Sequence, residues 1–160
     1  MTTADERTLV IVKPDAVQRG HVGEVIGRLE RKGLKIVGLK MIHVSEEQAR
    51  TLYAIHKGQH FYEPLVRFIL SAPVVVVVVE AKEACAVVRR LLGATDSAEA
   101  EPGTIRGDLA VSHRFNLVHA SDSPENARKE LAIFFEPDEY LTYDRALEGW
   151  IYDYSTGEPI

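Results

Sequence analysis

The chain has 160 residues, of which 46% are hydrophobic and 27% are charged, and this balance is that of an ordinary globular protein. The one cysteine, Cys85, excludes an intramolecular disulfide framework and suits a reducing compartment. A formal net charge of −5 argues against a surface for broad non-specific nucleic-acid binding, although it allows a local basic pocket. We expect one domain over residues 1–160.

The chain shows no feature of secretion or of membrane insertion. The first seven residues include Asp5 and Glu6 and have no apolar stretch, so we expect no targeting segment and a cytoplasmic location. The most apolar run, residues 73–79, contains six consecutive valines. A membrane-spanning helix needs about 20 apolar residues, so this run predicts a strand that is buried on both faces.

The apolar pattern predicts four strands and five helices in the order β-α-β-α-α-β-α-β-α. The strands are predicted at residues 8–12, 34–44, 73–79 and 116–120, and the helices at 22–32, 46–55, 61–70, 84–92 and 124–135. Lys13-Pro14-Asp15 is predicted to stop the first strand and form a turn, and residues 94–107 are predicted to form a long loop. The tail that holds Trp150, Ile151 and Tyr152 is expected to pack on something instead of extending freely into solvent.

This order fits a four-stranded sheet with helices on one face. The pattern alone leaves two arrangements open, a ferredoxin-like one and a doubly wound one.

His119 is the first candidate for chemistry. It lies late in the last predicted strand, just before the helix start Ser123-Pro124, where an anion is favoured. Glu130, one or two turns into that helix, could reach back to one ring nitrogen and leave the other as nucleophile or base. The alternative is a histidine of the core or of the surface.

Two further clusters offer cations to a ligand. Arg106 lies in the segment Pro-Gly-Thr-Ile-Arg-Gly-Asp, where glycines allow close approach and the guanidinium can hold phosphate or carboxylate. The alternatives are a mobile surface loop or, from its Arg-Gly-Asp tripeptide, a cell-adhesion motif. Lys13 ends a buried strand, where lysines either contact ligands or are solvated.

His56 and His60 have the spacing of zinc ligands, but Gly58 between them argues against a helix and no third ligand is evident. We therefore expect no protein-bound metal.

Three stretches, TLVIVKPDAVQRG, PGTIRGD and NLVHASDS, resemble the nucleoside diphosphate kinase family in order and spacing, and the resemblance covers about residues 7–152. It implies an α+β fold with a ferredoxin-like βαββαβ core, in which helices cover a four-stranded antiparallel sheet, followed by a C-terminal extension. It also implies ping-pong transfer of the γ-phosphate of a nucleoside triphosphate to a nucleoside diphosphate.

The resemblance also implies the site residues. The phosphorylated histidine would be His119, with Glu130 and Ser121 in its hydrogen-bonded group. Lys13 would reach both the sugar hydroxyls and the transferred phosphate. The other implied contacts are Arg89, Thr95 and Arg106 on the phosphates with Tyr53 and His56 nearby, Asn116 on the sugar, and Phe61 on the base with Leu65 beside it. Mg²⁺ would arrive bridging the nucleotide phosphates, without a cage of protein ligands.

The sequence departs from the family pattern at three positions: Ala120 replaces a glycine after the histidine, Arg114 replaces a glycine, and His60 replaces a proline. If residue 120 needed a positive φ, alanine would cost about 1 kcal/mol; otherwise its methyl group crowds the pocket. These departures keep one alternative open, a catalytically weak nucleotide-binding or scaffold member of the same fold.

The expected partners are nucleoside di- and triphosphates, with no membrane and no specific nucleic acid. Family members are tetramers or hexamers. Because the tail through Trp150 resembles that of hexameric members, we expect a homohexamer.

Overall fold

The computed structural model describes residues 6–160, and its centre is a four-stranded antiparallel sheet. The strands are β1 (Glu6–Val12), β2 (Lys35–Ile42), β3 (Val74–Ala81) and β4 (Val118–Ala120), and they lie in the order β2-β3-β1-β4. This is the α+β, ferredoxin-like arrangement that the resemblance implies, and the prediction of its core is confirmed. The expectation of no targeting segment rests partly on residues 1–5, which lie outside the described residues.

Seven α-helices and three 3₁₀ turns accompany the sheet within residues 6–160. The helices are α1 (Pro14–Gln18), α2 (Val22–Arg31), α3 (Glu46–Leu52), α4 (Tyr62–Ile69), α5 (Ala84–Leu92), α6 (Ile105–Leu109) and α7 (Pro124–Phe134). The 3₁₀ turns are Ala54–His56, Pro137–Glu139 and Glu148–Trp150. In this part of the chain, none of the helices combines the length and apolar character needed to cross a bilayer.

The run of six valines in β3 is explained by burial on both sides of the sheet. Val75, Val77 and Val79 belong to one apolar cluster, and the alternating residues Val74, Val76 and Val78 belong to the other. Because successive side chains of a strand point to opposite faces, a strand covered on both faces is apolar at every position. The prediction of a doubly buried strand is confirmed.

Helices cover both faces of this sheet, so the expectation of helices on one face is wrong. One apolar cluster includes Val25 of α2 and Val88 of α5, and the opposite cluster includes Ala49 of α3, Val66 of α4 and Leu131 of α7. Periodicity shows that each helix has an apolar stripe, but it does not show which face of the sheet the stripe covers.

Several predicted boundaries are confirmed and others are wrong. The capping box at Ser45 begins α3 as predicted, but the helix ends before Ile55, which lies in a 3₁₀ turn and is 79% exposed.

Two short helices form where the sequence predicted a turn and a loop. Pro14 begins helix α1 instead of a turn, because proline suits the first helical position. Helix α6 starts inside the predicted long loop, since the Thr104 hydroxyl accepts a hydrogen bond from its first turn. Trp150 is 89% exposed in the single chain, whereas Tyr152 of the same tail contacts the domain, since its hydroxyl accepts a hydrogen bond from the Lys82 N–H at 3.3 Å.

Substitution of Leu9 by alanine tests the core beneath the site. Leu9 lies in β1 with no exposed surface, so Leu9→Ala is expected to lower the free energy of unfolding by about 2–5 kcal/mol. Urea unfolding at one fixed protein concentration measures this change. The control, Val111→Ala, removes methyl groups from a side chain that is 92% exposed, and its effect should stay below about 0.5 kcal/mol. Equal losses in both variants would contradict the assigned core.

Candidate active site

The predicted site residues come together in one cleft of about 880 Å³. It lies where the end of β1, the start of β4 and helices from both sides of the sheet meet. Ten of the eleven predicted residues of the catalytic and nucleotide-binding sets, counted with His56, line it: Lys13, Tyr53, His56, Phe61, Arg89, Thr95, Arg106, Asn116, His119 and Glu130. Leu65 also lines the cleft. Ser121 does not line it, because its side chain is fully buried behind Glu130.

His119 is held by a carboxylate from the neighbouring helix. It pairs with Ile11 across the β1–β4 ladder, and its Nε2 lies 3.0 Å from Glu130 Oε2. The Ser121 hydroxyl donates a 2.5 Å hydrogen bond to the same carboxylate oxygen. Burial alone would raise the pKa of Glu130, but the hydrogen bond and charge of His119, together with the hydrogen bond from Ser121, outweigh burial and lower it. Glu130 is therefore ionised at neutral pH.

The ionised carboxylate determines which nitrogen of His119 carries the proton. A carboxylate only accepts hydrogen bonds, so a neutral imidazole paired with Glu130 must carry its hydrogen on Nε2. Nδ1 then has a lone pair, and no residue within 6–160 forms a hydrogen bond with it. The side chain is 23% exposed and lines the cleft, so a ligand there can reach the ring.

Buried cations line the same cleft as this imidazole. Arg106 is 7% exposed, and burial together with the charge of Arg89 lowers its pKa to about 10. It donates to the carbonyl oxygens of Asn116, Gly93 and Val118, which occupies three of its N–H groups and leaves two for a ligand. Such a guanidinium, with no carboxylate partner among the described residues, is suited to bind an anion.

Lys13 is a second buried cation. Its Nζ donates to Asn116 Oδ1 at 2.5 Å, and the amide of Asn116 in turn donates to the Thr95 carbonyl oxygen. Burial lowers the pKa of Lys13 to about 8, with Asp15 raising it and Arg106 lowering it by smaller amounts. The lysine is therefore largely protonated at neutral pH and gains from an anionic ligand.

The cleft is positively charged although the whole chain is negative. Five cationic side chains line it against the carboxylates of Asp122 and Glu130. They are Lys13, Arg89, Arg106, Arg114 and Lys129. Arg89 forms no hydrogen bond or ion pair with any described residue. An electrostatic pocket of this kind attracts polyanions even when the net charge is −5.

A strained turn leads into β4 just before His119. Leu117 has a φ of 72°, and the Val118 N–H donates to the Asn116 carbonyl oxygen at 2.8 Å, which closes a three-residue γ-turn. A buried leucine in this left-handed region costs about 1–3 kcal/mol. The turn explains why β4 is shorter than predicted, since the ladder begins only at Val118.

Aromatic rings line another part of the cleft. The ring of Phe61 lies 5.2 Å from that of His56 and 5.4 Å from that of His60, in both cases edge to face. Phe61 precedes α4, so the helix start sets its position. Within residues 6–160 there is no group of three or more His, Cys, Asp or Glu that could hold a metal ion.

The three departures from the family pattern also line the cleft. Ala120 is not among the described residues with positive φ, so its backbone is unstrained and its methyl group narrows the pocket. Arg114 is exposed, and its carbonyl oxygen accepts from Lys13 Nζ at 3.4 Å. His60 adds an imidazole beside Phe61.

The loop that carries Arg106 is packed so closely that it needs glycine. A Cβ at Gly107 would collide with the Glu101 carbonyl oxygen, whereas the existing Gly107 N–H donates to Thr104. The glycines of this segment were expected to let a ligand approach, but Gly107 instead allows one part of the loop to pack on another.

Sequence analysis missed some residues of the site. Asp122, just before α7, and Asn126 and Lys129, within α7, line the cleft, and Asp122 Oδ1 accepts from the Asn126 amide at 2.6 Å. All three residues follow His119 closely in the sequence, and this proximity was the available signal. Asp15 was seen only as part of a turn, yet its Oδ2 accepts from the Leu117 N–H at 3.0 Å. Nothing in the sequence signals that a leucine adopts a positive φ.

Comparisons with known proteins agree with this geometry. The family model of nucleoside diphosphate kinase matches residues 6–140. A nucleoside diphosphate kinase of Thermomicrobium roseum is 57% identical over 146 residues, which is 91% of this chain and 98% of the relative. One of Archaeoglobus fulgidus is 57% identical over 148 residues, or 92% of this chain and 98% of the relative.

Two solved structures share the fold over nearly the whole chain. A halophilic nucleoside diphosphate kinase from Halobacterium salinarum in complex with CDP has a TM-score of 0.91 and 47% identity, over 93% of this chain and 99% of that one. A transition state mimic of the enzyme from Borrelia burgdorferi with bound vanadate and ADP has a TM-score of 0.88 and 38% identity, over 93% and 98%. By its sequence, its sheet and its cleft, this chain belongs to the nucleoside diphosphate kinase family of phosphotransferases.

Proposed function

We propose that His119 carries the phosphate between the two substrates of this kinase. The Nδ1 lone pair attacks the γ-phosphorus of a nucleoside triphosphate, the bond from phosphorus to the bridging oxygen breaks, and the nucleoside diphosphate leaves with that electron pair. A second nucleoside diphosphate then takes the phosphate from Nδ1 in the reverse step. The observation that carries this proposal is the Nε2 contact with Glu130, which leaves Nδ1 available in a cationic cleft.

Glu130 and Ser121 support the imidazole during this reaction. As Nδ1 forms its bond to phosphorus, the ring becomes positively charged, and the Glu130 carboxylate on Nε2–H stabilises that charge. Ser121 keeps the carboxylate oriented through its own hydrogen bond. Neither group needs to gain or lose a proton, so the step requires no proton transfer to solvent.

Cations and neutral donors hold the phosphates. Lys13, Arg89 and Arg106 neutralise the charge that spreads over the equatorial oxygens in the transition state. Thr95 adds a hydroxyl beside them. Burial and the charge of Glu130 raise the pKa of Tyr53, so its phenol remains a neutral donor for a phosphate oxygen.

The nucleoside is expected at the aromatic part of the cleft. Phe61 stacks on the base with Leu65 beside it, His56 lies nearby, and Asn116 with Lys13 binds the sugar hydroxyls. Stacking contacts the face of the base and makes no hydrogen bond to the atoms at its edge that distinguish one base from another. This favours a broad range of nucleosides. Mg²⁺ would be held by the phosphate oxygens of the nucleotide and would supply further charge neutralisation there, because the described residues offer no cluster of carboxylates for it.

Labelling tests the phosphohistidine. After incubation with γ-labelled ATP and separation on a denaturing gel, the chain should carry acid-labile label, and His119→Ala should lose it because the nucleophile is gone. The control His43→Ala removes an exposed histidine outside the cleft and should keep full label. Bound nucleotide without any label on the wild-type chain would favour a scaffold role instead.

The pH dependence tests the role of Lys13. Its charged form is lost above a pKa of about 8, so kcat/KM, which reports the free enzyme, should fall as the pH rises through this value. Bound phosphates favour the charged form, so kcat should fall only at higher pH. Lys13→Arg stays charged and should remove the fall in kcat/KM near pH 8, whatever its absolute activity. A fall of equal size and midpoint in Lys13→Arg would assign the titration to another group.

We also propose that residues 1–160 form one domain and that the protein acts in the cytoplasm as a homohexamer. Large apolar side chains that stay exposed in the C-terminal segment support an assembly. They are Leu141 at 63%, Leu147 at 65%, Trp150 at 89% and Ile160 at 62% exposure.

Sedimentation equilibrium tests the assembly. The mass should correspond to six chains of 17.8 kDa. Trp150→Ala should weaken the assembly, because it removes a large exposed apolar side chain that we place in a subunit contact. The control Val111→Ala should leave the mass unchanged. A mass near that of four chains would contradict the hexamer.

A further inference from the structure

We propose that Asp15 is a positioning residue, which holds the γ-turn at Leu117 and so fixes the nucleophile His119 and the cation Lys13 for phosphate transfer. This inference rests on the proposed function of His119. Asp15 itself is not among the residues that line the cleft. Its action is therefore through the turn and through Lys13.

The turn needs a partner for its buried N–H. Leu117 has no exposed surface, and a φ of 72° is a conformation that leucine rarely adopts. Asp15 Oδ2 accepts from the Leu117 N–H at 3.0 Å across a sequence separation of 102 residues. Without this acceptor, a strained peptide would also contain an unpaired buried donor, and it would relax toward an ordinary backbone conformation.

The other backbone groups of the turn are also held. The Lys13 N–H donates to the Leu117 carbonyl oxygen at 2.8 Å. Arg106 donates to the carbonyl oxygens of Asn116 and Val118. Three residues therefore hold the turn by hydrogen bonds: Lys13, Arg106 and Asp15. Of these, only Asp15 has no proposed contact with the phosphates or the sugar.

Leu117 lies between two residues of the site. Asn116 directly precedes Leu117, and His119 follows two residues later. A change of the Leu117 dihedral angles rotates the peptides on both sides, so it moves the imidazole relative to the bound phosphate. Displacement of a reacting group by about 1 Å can reduce a rate about a hundredfold. This coupling gives a half-buried aspartate outside the cleft an effect on chemistry.

The charge of Asp15 also acts on Lys13. Asp15 Oδ1 is buried and has no hydrogen-bond partner among the described residues, so its negative charge is not reduced by a donor there. Lys13 is faced by Asp15 of α1, by Arg106 of α6, by Asn116 and the Arg114 carbonyl before β4, and by the Phe68 ring of α4. Asp15 is the one anionic group in this set, and it favours the charged lysine.

Two substitutions separate the hydrogen bond from the charge. Asp15→Asn keeps an acceptor for the Leu117 N–H but loses the charge. The alkaline limb of the rate of His119 phosphorylation should therefore move to lower pH, while the plateau changes by less than about threefold. Asp15→Ala loses both features, so its plateau should also fall by about tenfold or more. Rapid-quench single turnovers with γ-labelled ATP measure both quantities.

The matched control is Asp138→Asn, which removes an exposed carboxylate outside the cleft and should leave the profile and the plateau unchanged. A merely structural Asp15 would lower the melting temperature without moving the alkaline limb. Asp15→Ala with the wild-type plateau and limb would overturn the proposal. Failure of the proposed function looks different, because the wild-type chain itself would then take no label.

A second pair of variants tests the turn if the Asp15 variants do not fold. Leu117→Gly and Leu117→Ala leave similar cavities, but only glycine adopts a positive φ without steric cost. If the turn positions His119, Leu117→Gly should be phosphorylated at least about threefold faster than Leu117→Ala. Equal rates in the two variants would overturn the link between the turn and the nucleophile.

Discussion

The hydrogen bond between His119 Nε2 and the Glu130 carboxylate is the contact on which the proposed phosphate transfer depends. An acceptor on one side of the ring determines the tautomer and leaves a lone pair on the other side. The fold supplies this contact by placing β4 directly before α7, whose second turn brings Glu130 back to the strand. Ser121, buried between the two elements, keeps the carboxylate in place. The same arrangement can stabilise the positive ring after it has accepted a phosphate.

The sheet brings this imidazole to a set of cations that are far apart in sequence. Antiparallel pairing places the end of β1 beside the start of β4, so Lys13 meets Asn116 at a separation of 103 residues. Arg106 is held against the same turn by its donation to backbone carbonyl oxygens. Burial lowers the pKa values of Lys13 and Arg106, and an anionic ligand would relieve the cost of their charges. A chain of negative net charge therefore contains a site for polyphosphates.

Much of this arrangement was accessible from the sequence. Apolar periodicity located the four strands, and the six valines indicated burial on both faces. The resemblance carried by three short motifs implied the candidate site residues, and ten of them line one cleft. The missing parts depend on tertiary contacts. Pro14 is compatible with a turn or with a helix start, and its neighbours decide between them. The positive φ of Leu117 occurs together with a hydrogen bond from its N–H to Asp15, 102 residues away in sequence, so no local pattern could indicate it.

Nitrogen NMR of the ¹⁵N-labelled imidazole of His119, at neutral pH and without nucleotide, tests the central claim most directly. Our account predicts that Nε2 has the chemical shift of a protonated ring nitrogen and Nδ1 that of a nitrogen with a free lone pair. Glu130→Gln should weaken this preference, since an amide can also donate to the ring. If Nδ1 carries the hydrogen in the wild-type chain, the nucleophile assigned here would be blocked, and the account would be wrong.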